Sequence, residues 1–391
     1  MQGSLTHDEV VRTNSAELSP IDSFELREIR LPLVSPFETS LGVEREKQAL
    51  LVFLRKGEIT GYGECVAGID PWFNEETIAS AKYIIQTYLA PILFGQHMTT
   101  PSAFIALTKG IRGNNMAVAC VEMALWDVLG KMEDTSLSKL LGGKKEEVEV
   151  GVGVGLQSSP AKLVGAVDSY LKEGYGRIKV KIKPSYDVEY VRAIRKAFPD
   201  IKLQVDANSA YTLDDAKHLK RLDEFNLLLI EQPLGHDDLV DHARLQKELS
   251  TPLCLDESIR APEDARKALE IGACKIINIK AGRVRGLQRS KEIRELCMKL
   301  RVPAWCGGML ETGIGRAFNV ALASLPGFTL PGDTSASKRY FKRDIITMEF
   351  ALTTRSTLPV PDGPGIGVEV DSEALDAVTV SRTTVKNESL H

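Results

Sequence analysis

Five charged residues recur along the chain at an almost constant interval, and this interval constrains the fold more than any other feature. Lys181, Asp206, Glu231, Asp256 and Lys280 are separated by 25, 25, 25 and 24 positions, and each lies in or directly after a short apolar run. One strand, one helix and two short loops together occupy about 25 residues. The spacing therefore predicts five successive strand–helix units with one charged group on each strand.

The alternation of side chains within these runs predicts where the charges point. Successive side chains of a strand face opposite sides, and between residues 178 and 183 apolar residues alternate with three lysines. The runs that contain Asp206 and Lys280 alternate in the same way. Because apolar side chains of a parallel sheet pack against a helix layer, the polar set must point into a barrel.

Three of the five charges are carboxylates, which would repel one another at neighbouring strand ends. At a separation of 4 to 5 Å and an effective dielectric constant near 20, each pair would cost about 4 kcal/mol. A bound cation reverses this cost, and a set of hard oxygen ligands favours Mg²⁺, with Mn²⁺ as the alternative, over zinc. Asp206, Glu231 and Asp256 are therefore the predicted ligands of one metal ion.

Composition narrows the class of protein. The chain has 391 residues, of which 43% are hydrophobic, and a net charge of −4, so it can bury a large core and has room for two domains. The sequence has no basic stripe that would indicate binding to nucleic acid. It also has no apolar run as long as a membrane span. The six cysteines show no CxxC pair and are expected to be reduced, as in the cytoplasm. These features favour a cytoplasmic enzyme with a small-molecule substrate, and they leave a homo-oligomer open.

Local patterns divide the chain into a cap, a barrel and a returning tail. Residues 24–66 are typical of an antiparallel meander with a loop at SPFETSLG, and residues 75–142 have helical spacing. Eight barrel strands are expected, the last at about FTLPG. The opening segment lacks an apolar signal core and is interpreted as a mobile extension. The predicted segments are residues 1–20 (extension), 21–145 (α+β capping domain), 146–345 (barrel) and 346–391 (tail returning to the cap).

Several motifs give the chain a family resemblance. KVKIKP, VDAN, IEQPL, LDESI, NIKAGRVRG, WCGGMLETGIGRA and LPGDTSASKRYF follow one another between about residues 179 and 341, and GYGEC and VEMALWDVLGK precede them. In this order they resemble the enolase superfamily, muconate-lactonizing subgroup, and within it the o-succinylbenzoate synthase and N-succinylamino acid racemase family. The resemblance implies a TIM-like, modified (β/α)7β barrel with an α+β capping domain.

The resemblance also implies a reaction that begins with proton abstraction next to a carboxylate. Enolase-superfamily sites pair a lysine or histidine base with Mg²⁺, which stabilises the enediolate. Here Lys181 would be the base, and it must be neutral to act, a state that nearby positive charge favours. Lys280 would approach the opposite face of the same carbon, either exchanging a proton there or stabilising the enediolate as a cation.

Further residues are candidates for supporting or substrate-binding roles. Asn208 and Glu257 are interpreted either as partners that orient the ligands and lysines or as simple caps, and Lys179 as a positive neighbour of Lys181. Arg283 matches an arginine that the racemase-capable branch places after its catalytic lysine; the alternative is a surface arginine in a Gly-rich loop. Met309 and Trp305 are either substrate contacts or barrel packing. The remaining candidates are Gly307 and Glu311.

Three functions compete at this stage. The leading prediction is o-succinylbenzoate synthase, which eliminates water from a succinylated hydroxycyclohexadiene carboxylate in menaquinone biosynthesis. The second is racemisation of N-succinylamino acids, either alone or in the same site, with muconate cycloisomerase and dipeptide epimerase less favoured. The third is a metal-binding barrel without turnover, against which the two retained lysines argue.

The sequence departs from the family pattern in one place. In the loop that follows Lys181, Lys183 and Ser185 differ from the residues typical of the family, which leaves the substrate-facing geometry of this loop open.

Overall fold

The computed structural model describes residues 17–387. The first 16 residues of the extension predicted for residues 1–20, and residues 388–391 of the predicted tail, lie outside the described residues. Packing begins at the start of this range. Leu18 is fully buried, and the Ser19 hydroxyl donates to the carbonyl of Gln96 at 2.6 Å. Residues 17–20, which the sequence analysis assigned to the mobile extension, are therefore packed against the cap, because Leu18 removes its apolar side chain from water there.

Strands and helices alternate through most of the chain. The strands are β1 (Ser23–Thr39), β2 (Gly42–Lys56), β3 (Ile59–Cys65), β4 (Glu147–Glu149), β5 (Val152–Val154), β6 (Arg177–Lys181), β7 (Lys202–Asp206), β8 (Ile230–Glu231), β9 (Leu253–Leu255), β10 (Ile276–Ile279), β11 (Ala304–Cys306), β12 (Thr357–Pro359) and β13 (Thr379–Lys386). The helices are α1 (Ile78–Ile84), α2 (Ala90–Gly95), α3 (Pro101–Leu107), α4 (Asn115–Met132), α5 (Leu137–Leu141), α6 (Pro160–Lys172), α7 (Val188–Ala197), α8 (Ala216–Leu219), α9 (Val240–Glu248), α10 (Pro262–Glu270), α11 (Leu287–Leu300), α12 (Gly313–Ala323) and α13 (Ser372–Val378).

The cap combines an antiparallel sheet with helices α1 to α5. Its four strands have the order β13-β1-β2-β3, so the last strand of the described chain pairs with the first. Helix α4 lies close against β3 because two glycines leave room for its backbone. A Cβ atom at Gly63 would lie only 2.0 Å from the Cys120 carbonyl oxygen, and Gly61 faces the helix in the same way. Larger residues at these positions would push the helix off the sheet.

The segment SPFETSLG, predicted as a loop, is mostly strand. It forms the end of the β1–β2 hairpin, with Phe37, Glu38 and Thr39 paired across to residues 42–44 and a break in register after Pro32. The tip of this hairpin reaches the barrel, since the Ser40 hydroxyl lies 3.0 Å from the Ala207 carbonyl oxygen. Pairing satisfies the backbone groups that a free loop would expose, which is why the segment extends as a ribbon.

The barrel consists of seven parallel strands in the order β11-β10-β9-β8-β7-β6-β5. The predicted eighth strand at FTLPG is wrong as a regular strand. Residues 328–333 instead close the gap through single bridges, Phe328 to Ala304 and Gly332 to Val150. Pro331 has no N–H to donate, so a continuous ladder cannot pass through this segment. The expected fold class, a (β/α)7β-type barrel with an α+β cap, is confirmed.

The ends of the described chain return to the cap. Strand β12 pairs with β4 beside the barrel, and the loop that follows reaches α4, where the Ile366 N–H donates to the Asp127 carboxylate at 2.8 Å. All six cysteines are buried and free. None of the helices between residues 17 and 387 is long and apolar enough to cross a membrane.

Candidate active site

The five periodic residues all lie at the carboxyl ends of neighbouring barrel strands. Lys181, Asp206 and Glu231 are the last residues of β6, β7 and β8, and Asp256 and Lys280 follow β9 and β10 directly. Parallel strands in register bring their ends to one edge, and Lys181 is directly paired with Asp206, and Asp206 with Glu231. All five are buried, with at most 9% of any of them exposed. The barrel therefore gathers two amines and three carboxylates at its mouth.

Lys181 is held by two neighbours on one side of this group. Its ammonium donates to Asp206 Oδ2 at 2.7 Å and to Asn208 Oδ1 at 2.6 Å. The Asn208 amide in turn donates to Glu257 Oε1 at 2.9 Å. Asn208 and Glu257 are buried, and this chain of contacts connects them to the lysine rather than to solvent. Their geometry supports the orienting role over that of simple caps.

Lys280 is held on the other side by Asp256, whose Oδ2 lies 2.8 Å from the lysine Nζ. Asp256 Oδ1 accepts from Arg283, which also donates to the carbonyls of Ile259 at 2.8 Å and Asn278 at 3.0 Å. Arg283 is 2% exposed. The alternative of a surface arginine in a loop is therefore wrong: the guanidinium joins the β9–α10 and β10–α11 loops beneath Lys280.

Lys179 lies one layer deeper in the barrel than Lys181. Its ammonium is 3.0 Å from both Asp206 Oδ2 and Glu231 Oε2, and it also contacts Asp333. Arg177, two positions earlier on the same strand face, pairs with Asp333 at 2.7 Å. Lys179 therefore bridges two of the predicted metal ligands.

The sequence analysis did not assign Arg177, Asn278 and Asp333 to the site. Asn278 donates from Nδ2 to Glu231 Oε1 at 2.8 Å. The strand alternation carried a signal for Arg177 and Asn278, because each shares the inward face with a lysine two or more positions later. Asp333 had no such signal, since it lies in the irregular segment that closes the barrel.

Electrostatics in this group follow from burial and from the lysines. Burial, with the nearby Asp206 charge, raises the pKa of Glu231 to about 8, and burial with Asp256 raises that of Glu257 to about 7. Burial also opposes ionisation of Asp206, but its contacts with Lys181 and Lys179 prevail and lower its pKa. For Lys280, burial and Arg283 act against protonation, yet Asp256 prevails and raises the pKa. The carboxylates are thus close enough to oppose one another's ionisation.

A divalent cation at the barrel mouth would need several oxygen ligands that converge on one point. Within residues 17–387, no three His, Cys, Asp or Glu side chains stand together in an arrangement ready to hold a metal. A lysine ammonium group lies against one oxygen of each predicted ligand: Asp206 Oδ2, Glu231 Oε2 and Asp256 Oδ2. The chemistry of the donors nevertheless fits Mg²⁺: three carboxylates come from consecutive strand ends, and the buried Oε2 of Glu257 has no hydrogen-bond partner. A cation here would compete with Lys179 for Asp206 and Glu231.

A cavity of about 370 Å³ opens above these residues, between the barrel mouth and the cap. Lys181, Asn208, Lys280 and Met309 all line it, as do the β1–β2 hairpin and the loop from Gly68 to Asn74. Met309 therefore lines the cavity above the two lysines. Trp305 is 1% exposed and packs with Leu229, Cys254 and Ile276 at a deeper level, which favours the packing alternative for this residue.

Gly307 and Glu311 shape the loop after β11. A Cβ atom at Gly307 would lie 2.2 Å from Asn278 Oδ1, so only glycine lets this backbone approach the site. The Glu311 carboxylate accepts the Met309 N–H at 2.8 Å, and Lys47 from the cap donates to the Met309 carbonyl at 2.8 Å. These contacts give Glu311 a part in holding the loop that carries Met309.

Lys183 and Ser185, the two residues that differ from the family pattern, lie in the turn that follows Lys181. Ser185 has a backbone φ of 73°, the left-handed conformation that a glycine adopts more readily. Lys183 is partly exposed, and its Nζ lies 3.6 Å from Glu38 on the hairpin. The turn after Lys181 therefore keeps a glycine-like backbone in spite of its serine.

Comparison with known proteins agrees with this geometry. Residues 24–142 match the mandelate racemase / muconate lactonizing enzyme N-terminal domain, and residues 162–374 match the enolase C-terminal domain-like family. The chain belongs to the enolase superfamily. Enolase-superfamily enzymes of this branch act on small-molecule carboxylates and generally depend on a divalent metal.

Individual members of the superfamily resemble the chain over nearly its whole length. The o-succinylbenzoate synthase of Geobacillus stearothermophilus is 50% identical over 355 residues, which are 90% of this chain and 94% of that protein. The N-succinylamino acid racemase of Thermus thermophilus is 46% identical over 92% of this chain and 97% of its own. A solved enolase-superfamily structure from Listeria innocua has a TM-score of 0.91 at 44% identity and covers 94% of this chain and 99% of its own.

Proposed function

We propose that the protein is an o-succinylbenzoate synthase, which dehydrates 2-succinyl-6-hydroxy-2,4-cyclohexadiene-1-carboxylate in menaquinone biosynthesis. The observation that carries the proposal is the pair of buried amines, Lys181 and Lys280, which line one cavity with strands β7, β8 and β9 between them. The names and high coverage of the relatives support the same assignment. A binding protein without turnover would not need two buried amines, whose burial is costly.

In this proposal each residue near the mouth has a distinct task. Lys181, in its neutral form, removes the proton from the carbon next to the substrate carboxylate, and its ammonium then returns that proton to the leaving hydroxyl group as water. Lys280 remains protonated beside Asp256 and stabilises the negative charge that develops on the substrate. Asp206, Glu231 and Asp256 would hold Mg²⁺, which when bound supplies positive charge to the substrate carboxylate. Asn208 keeps Lys181 pointed at the substrate through their 2.6 Å contact.

Racemisation of N-succinylamino acids is a second function for the same site. Both reactions begin with removal of a proton next to a carboxylate, so Lys181 serves either one. Racemisation also requires a proton donor on the opposite face, a task that this proposal gives to Lys280, which lines the same cavity as Lys181. The buried contact network of Arg283 beneath Lys280 and Asp256 favours this second activity.

Two variants test these assignments with both substrates. Lys181→Ala should abolish dehydration and racemisation alike, because it removes the shared base. Lys280→Arg keeps the charge but cannot readily exchange a proton at neutral pH, so it should reduce racemisation far more than dehydration. Lys183→Ala, at the partly exposed rim of the same strand end, is the matched control and should stay within a few-fold of the parent.

The outcomes separate the two functions. If the parent enzyme both dehydrates the cyclohexadiene carboxylate and racemises N-succinylamino acids, and Lys181→Ala loses both activities, then one site performs both reactions. Failure to dehydrate that substrate in the presence of Mg²⁺ would refute the synthase proposal. Equal losses of both activities in Lys280→Arg would show that Lys280 has the same task in each reaction.

A further inference from the structure

A second cavity, of about 270 Å³, lies between the cap and the barrel on the far side of two active-site loops. It shares no lining residue with the cavity above Lys181 and Lys280. The cap contributes Glu75, Gly113 and Asn115 to its walls. The barrel contributes residues of the β9–α10 loop, the β10–α11 loop and the first turn of α11. Three arginines line it: Arg260, Arg285 and Arg289.

The positive charge of these arginines is only partly compensated. The Arg285 guanidinium donates to the Thr108 carbonyl at 2.6 Å, the Gly113 carbonyl at 3.1 Å and Asn115 Oδ1 at 3.3 Å, which are all neutral acceptors. In the described part of the chain the Arg260 guanidinium has neither a hydrogen-bond nor an ion-pair partner. Burial and the neighbouring Arg289 lower the pKa of Arg285, and they prevail over the buried Glu76 carboxylate, which acts to raise it.

The carboxylates near the cavity compensate these three arginines unequally. Glu75 lines it but is exposed and makes no ion pair with the arginines. Arg289 has acidic neighbours, Glu292 at 2.8 Å and Glu263 at 3.9 Å, both with substantially exposed side chains. Among the described residues Arg260 and Arg285 form no ion pair, so no carboxylate contacts their guanidinium groups in this cavity.

We propose that Arg260, Arg285 and Arg289 form a binding site for a small molecule that carries a phosphate group. Guanidinium groups match the oxygens of phosphate in a planar, two-point geometry, and several of them around one cavity raise the local concentration of anions. A phosphate group placed between Arg260 and Arg285 would accept the hydrogen bonds that the protein itself leaves unused. This inference is independent of which reaction the active site performs.

The site is connected to the catalytic loops through the backbone. Arg260 lies four positions after Asp256, and Arg285 lies five positions after Lys280. Arg283 joins the two loops, since it pairs with Asp256 and donates to the Ile259 carbonyl at 2.8 Å. An anion that binds both Arg260 and Arg285 would therefore hold together the loops that carry Asp256 and Lys280.

Inorganic phosphate is the probe for this site. Calorimetric titration of the full-length protein, in buffer without divalent metal and at constant ionic strength set with chloride, should show saturable binding to one site. Arg260→Gln and Arg289→Gln should each weaken binding about tenfold or more, the loss expected for a charged hydrogen-bond donor. Arg260→Lys should recover part of the affinity. Arg244→Gln, which changes an exposed arginine of α9 paired with Asp241, should leave it unchanged.

The active-site cavity also contains amines that could attract phosphate, so a further variant is needed. Lys181→Ala should bind phosphate as tightly as the parent if the arginine site is responsible. Loss of binding in Lys181→Ala, or binding that neither Arg260→Gln nor Arg289→Gln weakens, overturns the proposal. The proposal is also overturned if phosphate binding does not saturate and chloride gives the same titration signal. Arg260→Gln is informative for a folded protein, because the Arg260 side chain forms no hydrogen bond or ion pair with the described residues that the fold would lose.

Discussion

Substitution of Gly307 by alanine tests how closely the position of Lys280 is fixed. The added Cβ atom would lie 2.2 Å from Asn278 Oδ1 and 2.8 Å from Lys280 Cγ, whereas an ordinary contact begins at 3.4 Å. Asn278 would have to move by about 1 Å and the Lys280 side chain by about half as much. The backbone of Gly307 cannot relieve this easily, because its N–H donates to the Ile279 carbonyl at 3.0 Å.

The expected loss is larger for racemisation, the reaction in which Lys280 transfers a proton, than for dehydration, in which it supplies only charge. A misplacement near 1 Å costs roughly a hundredfold in rate, and overpacking lowers the free energy of unfolding by about 1 to 3 kcal/mol. We therefore expect Gly307→Ala to slow racemisation of N-succinylamino acids by about a hundredfold, with a smaller loss of dehydration, since Lys181 does not contact this glycine. Deuterium exchange at the α-carbon of each enantiomer, followed by NMR, measures the two faces separately.

A neighbouring glycine provides the control. A Cβ atom at Gly308 would approach the Asp333 carbonyl oxygen to 3.0 Å, but its nearest neighbours do not include Lys280. Gly308→Ala should therefore retain exchange from both enantiomers within a few-fold. If Gly307→Ala retains full exchange on both faces, Lys280 is not held in place as argued. Equal loss of exchange on both faces and of dehydration would show a general collapse of the site instead.

Three further outcomes are expected. Exhaustive EDTA treatment should abolish activity, and Mg²⁺ should restore it; full activity in chelated protein would contradict the metal assignment. Arg283→Gln should weaken deuterium exchange through Lys280 while dehydration stays within a few-fold, and unchanged exchange from both enantiomers would remove the role of Arg283. Asp127→Asn should lower the free energy of unfolding by about 3 kcal/mol, because its buried carboxylate accepts three N–H donors from different elements. Asp168→Asn, with the same lysine spacing on an exposed surface, should cost less than about 0.5 kcal/mol, and equal losses in chemical denaturation would refute the difference.

Much of the barrel was predictable because it repeats. The interval of about 25 residues and the alternation of apolar and polar side chains are both properties of strands in a covered parallel sheet. They place Lys181, Asp206 and Glu231 at strand ends without knowledge of the tertiary structure, and the structure has them there. The role of each residue was supplied by the family resemblance and not by the spacing.

Predictions were wrong where backbone pairing overrode local composition. The SPFETSLG segment has the serine, proline and glycine of a loop, yet cross-strand hydrogen bonds draw it into a hairpin. The FTLPG segment has the apolar residues of a strand, yet its proline interrupts the ladder. In the first case the deciding interactions join the two arms of the hairpin, which composition does not reveal. In the second the deciding residue, Pro331, is visible in the sequence, and its missing N–H outweighs its apolar neighbours.

The sequence by itself determined the class of fold and the residue types that meet at the barrel mouth, because periodicity is a local property of the chain. Tertiary structure alone decided the pairing among those residues. Lys179 contacts Asp333, 154 positions away, and Arg283 is buried against the loop of Asp256 rather than exposed in its own. A charge in a low-dielectric interior takes the partner that the fold brings near it, and sequence distance carries no information about that partner.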